Sequence, residues 1–326
     1  MSIRFGIIGT GVISTRFGGV VAKTDGVTLH AVADTNEAMA AKFAETYGVP
    51  QVYHNIDALL QDKDVDVVYI GAPTSFHTFM AKRAILCGKA VISEKPMSMT
   101  AADAESLKAL AEANDCFLME GMWTLCMPAV LQAKKWIEAG RIGRVRQIYS
   151  EFSFRAPYTP AQRLFNPALG GGSLFDVGVY CIFLSNFIMG SAPTTVCGVA
   201  DIAPTGVDVN AAFTLKYPTG GIASGVCGFQ ARSNTNAWIY GSDGSIWLDD
   251  FYRCQCAELR DQDGNVVERF EESCEDGFAY EIKHVRDLLL AGKTQSPLIP
   301  LQASVDCAKV YDQLLTQWGI SAAPVM

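Results

Sequence analysis

The chain has 326 residues, 49% hydrophobic and 18% charged, with a net charge of −8. That composition excludes the disordered and fibrous classes, and the length suits two domains or one large one. Lys and Arg are scattered rather than clustered, so neither nucleic acid nor an anionic membrane is an expected partner.

A strand is expected at 3–8, with no leader-like segment ahead of it, and the ten cysteines are dispersed through apolar segments. We therefore expect a cytoplasmic protein with free thiols. The strand runs into Gly9-Thr10-Gly11-Val12-Ile13-Ser14, a helix follows from Val12, and the next apolar run closes on Asp34. This is the spacing of a dinucleotide-binding βαβ unit. Gly9 allows the tight turn and Gly11 the close approach of backbone to pyrophosphate. Thr10, Val12 and Ile13 complete a turn whose helix N-terminus favours phosphate. Ser14 stands where the fingerprint has its third glycine. Asp34 is placed to accept from ribose hydroxyls and to repel a 2′-phosphate, and no Arg or Lys occurs from Thr35 through Ala41, although Lys42 follows. The pattern implies NAD in preference to NADP. The competing reading is an ordinary strand–helix turn that binds nothing.

Through residue 120, strands expected at 3–8, 28–33, 66–71, 90–93 and 116–120 alternate with helices at 12–23, 36–47, 56–61, 76–87 and 101–114. Alternation of this kind implies a doubly wound parallel sheet of Rossmann type. Thr100 followed by Asp103 reads as a capped helix start. A helix near 127–139 follows. Long strands are then expected at 145–154, 195–202, 209–217, 221–229, 237–240, 245–248 and 254–259, several joined by Gly-, Pro- and Asp-containing turns. Helices at 278–291 and 302–317 close the chain. The expected class is thus α/β. It comprises a dinucleotide-binding domain over 1–120 and an α+β domain over 121–326 built on a large, mostly antiparallel sheet. The apolar run 177–189 is expected to be too short to span a bilayer and to form a buried helix. Cys254 and Cys256 share one face of an expected strand, but two further ligands are missing nearby, so no metal is expected.

Two further segments carry chemistry. Val91-Ile92-Ser93-Glu94-Lys95-Pro96 ends a strand on the side where open α/β sheets bind ligands, and Pro96 holds Lys95 in extended backbone. Leu169-Gly170-Gly171-Gly172-Ser173-Leu174-Phe175-Asp176-Val177-Gly178-Val179-Tyr180 opens a helix, with Asp176 and Tyr180 four apart and so on one helical face. Taken by themselves, Asp176 and Tyr180 also read as a helix-dipole acid and a core aromatic. Together with Pro73-x-x-x-His77 and Gly277-Phe278-Ala279-Tyr280-Glu281, these segments resemble the Gfo/Idh/MocA family of nicotinamide-dependent oxidoreductases nearly end to end. Tyr180, where many members carry His, and Met122-Trp123 are similar to its dihydrodiol and xylose dehydrogenase branch.

The resemblance implies roles residue by residue. Lys95 would sit beside the nicotinamide and Glu94 would bind its ribose. Pro73, Thr74 and His77 would line the cofactor cleft, although His77 also reads as a packed histidine and His284 as structural. Asp176 and Tyr180 would reach in from the second domain. A carbinol needs a base for its hydroxyl proton, and Tyr180 assisted by Lys95, or Lys95 itself, supplies one. Trp123, Phe154, Tyr158 and Phe278 either line a substrate pocket or belong to the core. The expected activity is an NAD(P)-dependent dehydrogenase acting on a secondary alcohol or cyclic hemiacetal of a sugar, polyol or trans-dihydrodiol. The alternatives are a silent dinucleotide-binding sensor or corepressor, and an imine or bilin reductase. An open sheet face of small and apolar residues implies a homodimer or a dimer of dimers.

Overall fold

The computed structural model describes residues 2–321. Contacts divide it into two units. Among the described residues, unit 1 holds 2–121 together with Phe278–Ser304, and unit 2 holds Met122–Gly277 and 305–321. The second sequence domain was expected to run unbroken over 121–326, so the segment Phe278–Ser304 is the point of difference. Its packing explains why it groups with unit 1. The helix over 278–290 lays Phe278 edge-on against Phe17, with ring centroids 5.3 Å apart.

Unit 1 is built on a six-stranded sheet in the order β3-β2-β1-β4-β5-β6, parallel throughout. Its strands are β1 (Ile3–Ile8), β2 (Val27–Ala33), β3 (Gln51–Tyr53), β4 (Val67–Ile70), β5 (Ala90–Glu94) and β6 (Leu118–Gly121). The central strands β1 and β4 are buried almost without interruption, as a sheet covered on both faces requires. β3 escaped the sequence reading because three half-exposed residues carry too little pattern to register. The helices are α1 (Val12–Val21), α2 (Glu37–Tyr47), α3 (Ile56–Gln61), α4 (His77–Leu86) and α5 (Ala101–Ala113), later joined by α8 (Phe278–Leu290). Thr100 caps α5 as expected: its hydroxyl accepts from Asp103 N and donates to the Asp103 carboxylate. The strand order reverses between β1 and β4, and at such a switch point open sheets place their ligands.

Unit 2 carries an eight-stranded sheet, β14-β13-β12-β11-β7-β10-β9-β8, antiparallel except where β10 (Ile222–Gly228) runs parallel to β7 (Val145–Ser153). The other strands are β8 (Thr195–Ile202), β9 (Asp208–Lys216), β11 (Ala237–Gly241), β12 (Ser245–Leu248), β13 (Cys256–Arg260) and β14 (Val266–Glu271). β14 is an addition to the expected set; its residues are mostly exposed, so no burial alternation announced it. Strand β13 starts at Cys256, leaving Cys254 buried just ahead of it. Helices α6 (Pro128–Glu138) and α7 (Val179–Met189) pack on one face of the sheet, and α9 (Leu301–Gln317) closes the chain. The segment from Pro167 to Met189, 23 residues counting the short turns ahead of α7, is long and apolar enough by length and composition to cross a bilayer, while the expected buried run ends in α7. It is 83% buried in its most apolar window, the mark of a core helix.

Candidate functional site

In unit 1 the turn after β1 is shaped by a glycine no other residue could replace comfortably. Gly9 has φ +83°, and a Cβ there would lie 3.2 Å from Gly71 O. Gly11 has only Gly71 O within 4 Å of such a Cβ, at 4.0 Å, so its outer side is open. Helix α1 starts there with no side-chain cap and no acid in its first turn, and Val12 is 92% exposed. Uncapped N–H groups, an open glycine and a bare helix terminus are what a pyrophosphate requires, so the residues present fit a dinucleotide. Ser14, in place of the third glycine, is fully buried and donates to Gly71 O at 3.4 Å. Its side chain occupies the space a Cβ on Gly71 would need, 2.0 Å from Ser14 Oγ. The glycine missing from α1 is thus matched by one at the end of β4.

Asp34 closes β2 as expected, and its carboxylate is already in use. Oδ2 accepts from Thr10 N (2.7 Å) and Thr10 Oγ1 (2.6 Å), while Oδ1 accepts from Asn36 N (2.8 Å). Each carboxylate oxygen has two lone pairs, so Oδ1 retains one for a further donor. Asp34 therefore anchors the glycine turn as well as facing outward from it.

Past β4, the Pro73 turn leads into α4, with Thr74 buried. His77 is 1% exposed, with Nδ1 2.8 Å from Pro96 O and Nε2 2.8 Å from Ala72 O. Both ring nitrogens are engaged by backbone carbonyls, so His77 braces the Glu94-Lys95-Pro96 segment against the Pro73 turn. The Lys95–Pro96 peptide is cis. Glu94 is 6% exposed; Tyr69 Oη donates to its Oε1 at 2.6 Å and Lys95 N to its Oε2 at 3.2 Å. Tyr69 in turn stacks on Phe17 at 3.7 Å. Tyr69 was missed by the sequence reading, where it is one more apolar-run residue in a central strand. Glu120, at the end of β6, accepts from Met97 N at 3.0 Å. Burial, aided by the charge of Glu94, pushes its carboxyl up to about 7. Phe278 is buried in the Phe17 stack of this unit, with the Arg16 guanidinium 5.4 Å above its ring.

In unit 2 the glycine segment wraps a buried acid. Asp208 accepts from Ser173 Oγ (2.6 Å) and Leu174 N (2.7 Å), and Gly172, with φ +121°, passes so close that a Cβ would lie 2.4 Å from Asp208 Oδ1. The helix that follows opens with a π turn, Leu174–Gly178, before α7 proper. A π turn is wider than an α turn, but four residues along it still return to nearly the same side, so Asp176 and Tyr180 keep the shared face expected of their spacing. Turns of this kind recur at functional sites. Asp176 Oδ1 accepts from Arg163 Nη1 at 2.7 Å.

Tyr180 is 7% exposed and sits in an aromatic cluster. Its ring centroid is 5.5 Å from Phe152 and 5.7 Å from Tyr252; Phe152 and Tyr252 are 4.4 Å apart, and Trp123 is 5.9 Å from Tyr252. Thr124 Oγ1 donates to Tyr252 O at 2.6 Å, fixing the turn that carries this ring. The structure thus brings Trp123 and Tyr180 into one cluster and adds Phe152 and Tyr252. Phe154 lies one step away, between Phe152 and Phe229. Tyr158 packs on Phe165 and lines a separate groove of about 400 Å³ with Arg155 and Gln230.

Comparison with known proteins decides the family. Residues 3–122 match the model of the oxidoreductase family with an NAD-binding Rossmann fold, and residues 130–247 match the GFO/IDH/MocA C-terminal domain. The trans-1,2-dihydrobenzene-1,2-diol dehydrogenase of Bos taurus is 31% identical over 333 residues, 98% of each chain. The chain belongs to the Gfo/Idh/MocA family. It is an oxidoreductase with an NAD(P)-binding Rossmann domain. The rabbit (Oryctolagus cuniculus) enzyme of the same name is also 31% identical, over 89% of this chain and 90% of its own. Among solved structures, a 3-ketoreductase from Actinomadura kijaniata in complex with NADP and TDP-benzene is 26% identical with a TM-score of 0.87, covering 97% of this chain and 98% of its own. An aldose-aldose oxidoreductase from Caulobacter crescentus, also 26% identical, has a TM-score of 0.87 over 96% of each chain.

Proposed function

We propose that this oxidoreductase interconverts a secondary ring alcohol and its ketone, with a trans-dihydrodiol or a comparably apolar cyclic diol as substrate and NAD as the preferred cofactor. The observation that carries the reading is the aromatic cluster in which Phe152 and Tyr252 pack on the Tyr180 ring and Trp123 packs on Tyr252. Such a surface suits a flat hydrocarbon ring better than a sugar hydroxylated on every carbon. The names of the mammalian relatives support the dihydrodiol, and those of the bacterial neighbours keep sugars and polyols in the same class.

When bound, the dinucleotide supplies the hydride acceptor at its nicotinamide. Glu94, held by Tyr69, accepts from the nicotinamide ribose, and Gly9 through Ile13 bind the pyrophosphate. In alcohol oxidation the bound dinucleotide would take the carbinol hydride, and what this chain must supply is a base for the O–H proton as C=O forms. Tyr180 is our choice for that base, with Lys95 the other proton group the reaction offers, and Asp176 paired to Arg163 orients the substrate-side helix. The Asp34 carboxylate, with no cation from Thr35 to Ala41, supports NAD. The open face of the eight-stranded sheet bears Val199, Tyr149, Trp238 and Trp247, which supports assembly as a homodimer through that face.

The test is an absorbance assay of trans-dihydrodiols, aldoses and inositols with each cofactor. Turnover of a trans-dihydrodiol with NAD is expected. A protein that binds NADH but turns over no alcohol in the panel would overturn the reading in favour of a silent sensor.

A further inference from the structure

Glu281 lies in the first turn of α8 and is fully buried, yet neither carboxyl oxygen has a hydrogen-bond partner. An ionised carboxylate is not sustained in such a place without a donor; the group stays neutral instead. Helix α8 lies along α1, in the compartment where Phe17 stacks on Tyr69 and Tyr69 donates to Glu94. Burial is the first influence holding Glu281 protonated, and the charge of Glu94 is the second. Other titratable groups around the compartment are Tyr69 from β4, Lys95 after β5, Glu120 from β6 and Arg16 from α1. Arg16 is set over the Phe278 ring, and His284, farther along α8, lies 2.8 Å from Ser296 Oγ.

We propose that Glu281 is a positioning residue for Glu94: Glu281 stays protonated, and Glu94 is thereby kept as the carboxylate that accepts from the nicotinamide ribose. This rests on the role given to Glu94 above. Two like charges in one dry compartment cannot both be sustained at neutral pH, and the acid lacking partners is the one that stays neutral. Glu94, with donors from Tyr69 and the Lys95 amide, is the one stabilised as the anion. Once alkaline solution removes the Glu281 proton, repulsion from its carboxylate pushes that of Glu94 out of position. Affinity for the cofactor then falls.

Two measurements on the whole protein test this. Infrared difference spectra of wild type against Glu281→Gln at about pH 8, where Glu120 is largely ionised, should show a protonated-carboxyl stretch lost in the variant; an absent band overturns the proposal. NADH titration by fluorescence should give a Kd that, past the titration of Glu120 at about 7, weakens further in alkaline solution by up to about tenfold per pH unit. Glu281→Gln, neutral at every pH, should abolish that weakening. An unchanged alkaline limb in the variant overturns the proposal, and so does a flat wild-type profile. If Glu281→Gln does not fold, Glu281→Met serves both measurements. Glu94→Gln should weaken NADH at all pH values; if it does not, the role of Glu94 fails, while the infrared band still reports where the proton resides.

Discussion

Glu120 offers a quantitative check on the acid cluster at the end of the unit 1 sheet. Its carboxyl titrates at about 7 in the fold against 4.5 when exposed, chiefly because burial penalises the anion. The folded chain therefore binds more protons at this site than the unfolded chain between those values. By linkage, stability from this group is greatest at low pH and falls as pH rises through the window. At 1.36 kcal/mol for each pH unit separating the two values, about 3 kcal/mol is lost between about pH 4.5 and about pH 8. Glu120→Gln keeps an oxygen for the Met97 N–H and carries no charge, so it lacks this component. Urea unfolding of both proteins at the two pH values isolates the effect, because all other titrations cancel in the difference. Wild type should lose about 3 kcal/mol more than the variant, and Glu94→Gln should reduce that loss by removing the neighbouring charge. A wild-type-minus-variant difference that does not change with pH would refute the argument.

Gly71→Ala should destabilise by about 1–3 kcal/mol through overpacking against Ser14, and adding Ser14→Gly should recover most of it; additive effects in denaturant melts would sink the claim that these positions exchange a glycine. Asp34→Ala should narrow or reverse the ratio of kcat/KM for NAD over NADP and also loosen the Thr10 turn. A wild-type ratio favouring NADP more than about tenfold contradicts the assignment. Tyr180→Phe should lower kcat by about 10²–10⁴ with NADH affinity little changed, and wild-type turnover would transfer the proton to Lys95. Light scattering at micromolar concentration should give twice the 35.2 kDa of one chain; a monomer there removes the sheet-face dimer.

The nucleotide half was legible because its signals are local. Strand, turn and helix N-terminus lie within a dozen residues, Gly9 is required by its positive φ, and Gly11 leaves its outer side open. Gly9-Thr10-Gly11, Asp34 and the Thr100 cap therefore carried their meaning in spacing alone. The alternation of strands and helices likewise implied the parallel sheet, while the three-residue β3 and the exposed β14 left no pattern to read.

Contacts made across long stretches of sequence were decided only by the folded chain. Phe152 and Tyr252 meet Tyr180 from a strand and a turn far apart in sequence, and as isolated aromatics they look like any core residue. Asp208 carries no signal of its own in the sequence; β9 places it beneath the Ser173 turn. Asp34 was legible as an acid at a strand end, but its bonds to Thr10 depend on how two neighbouring strands register. The proton balance of Glu94, Glu120 and Glu281 depends on burial, which no residue type specifies by itself. Sequence sets which groups are present; packing sets the solvation that gives them their charge.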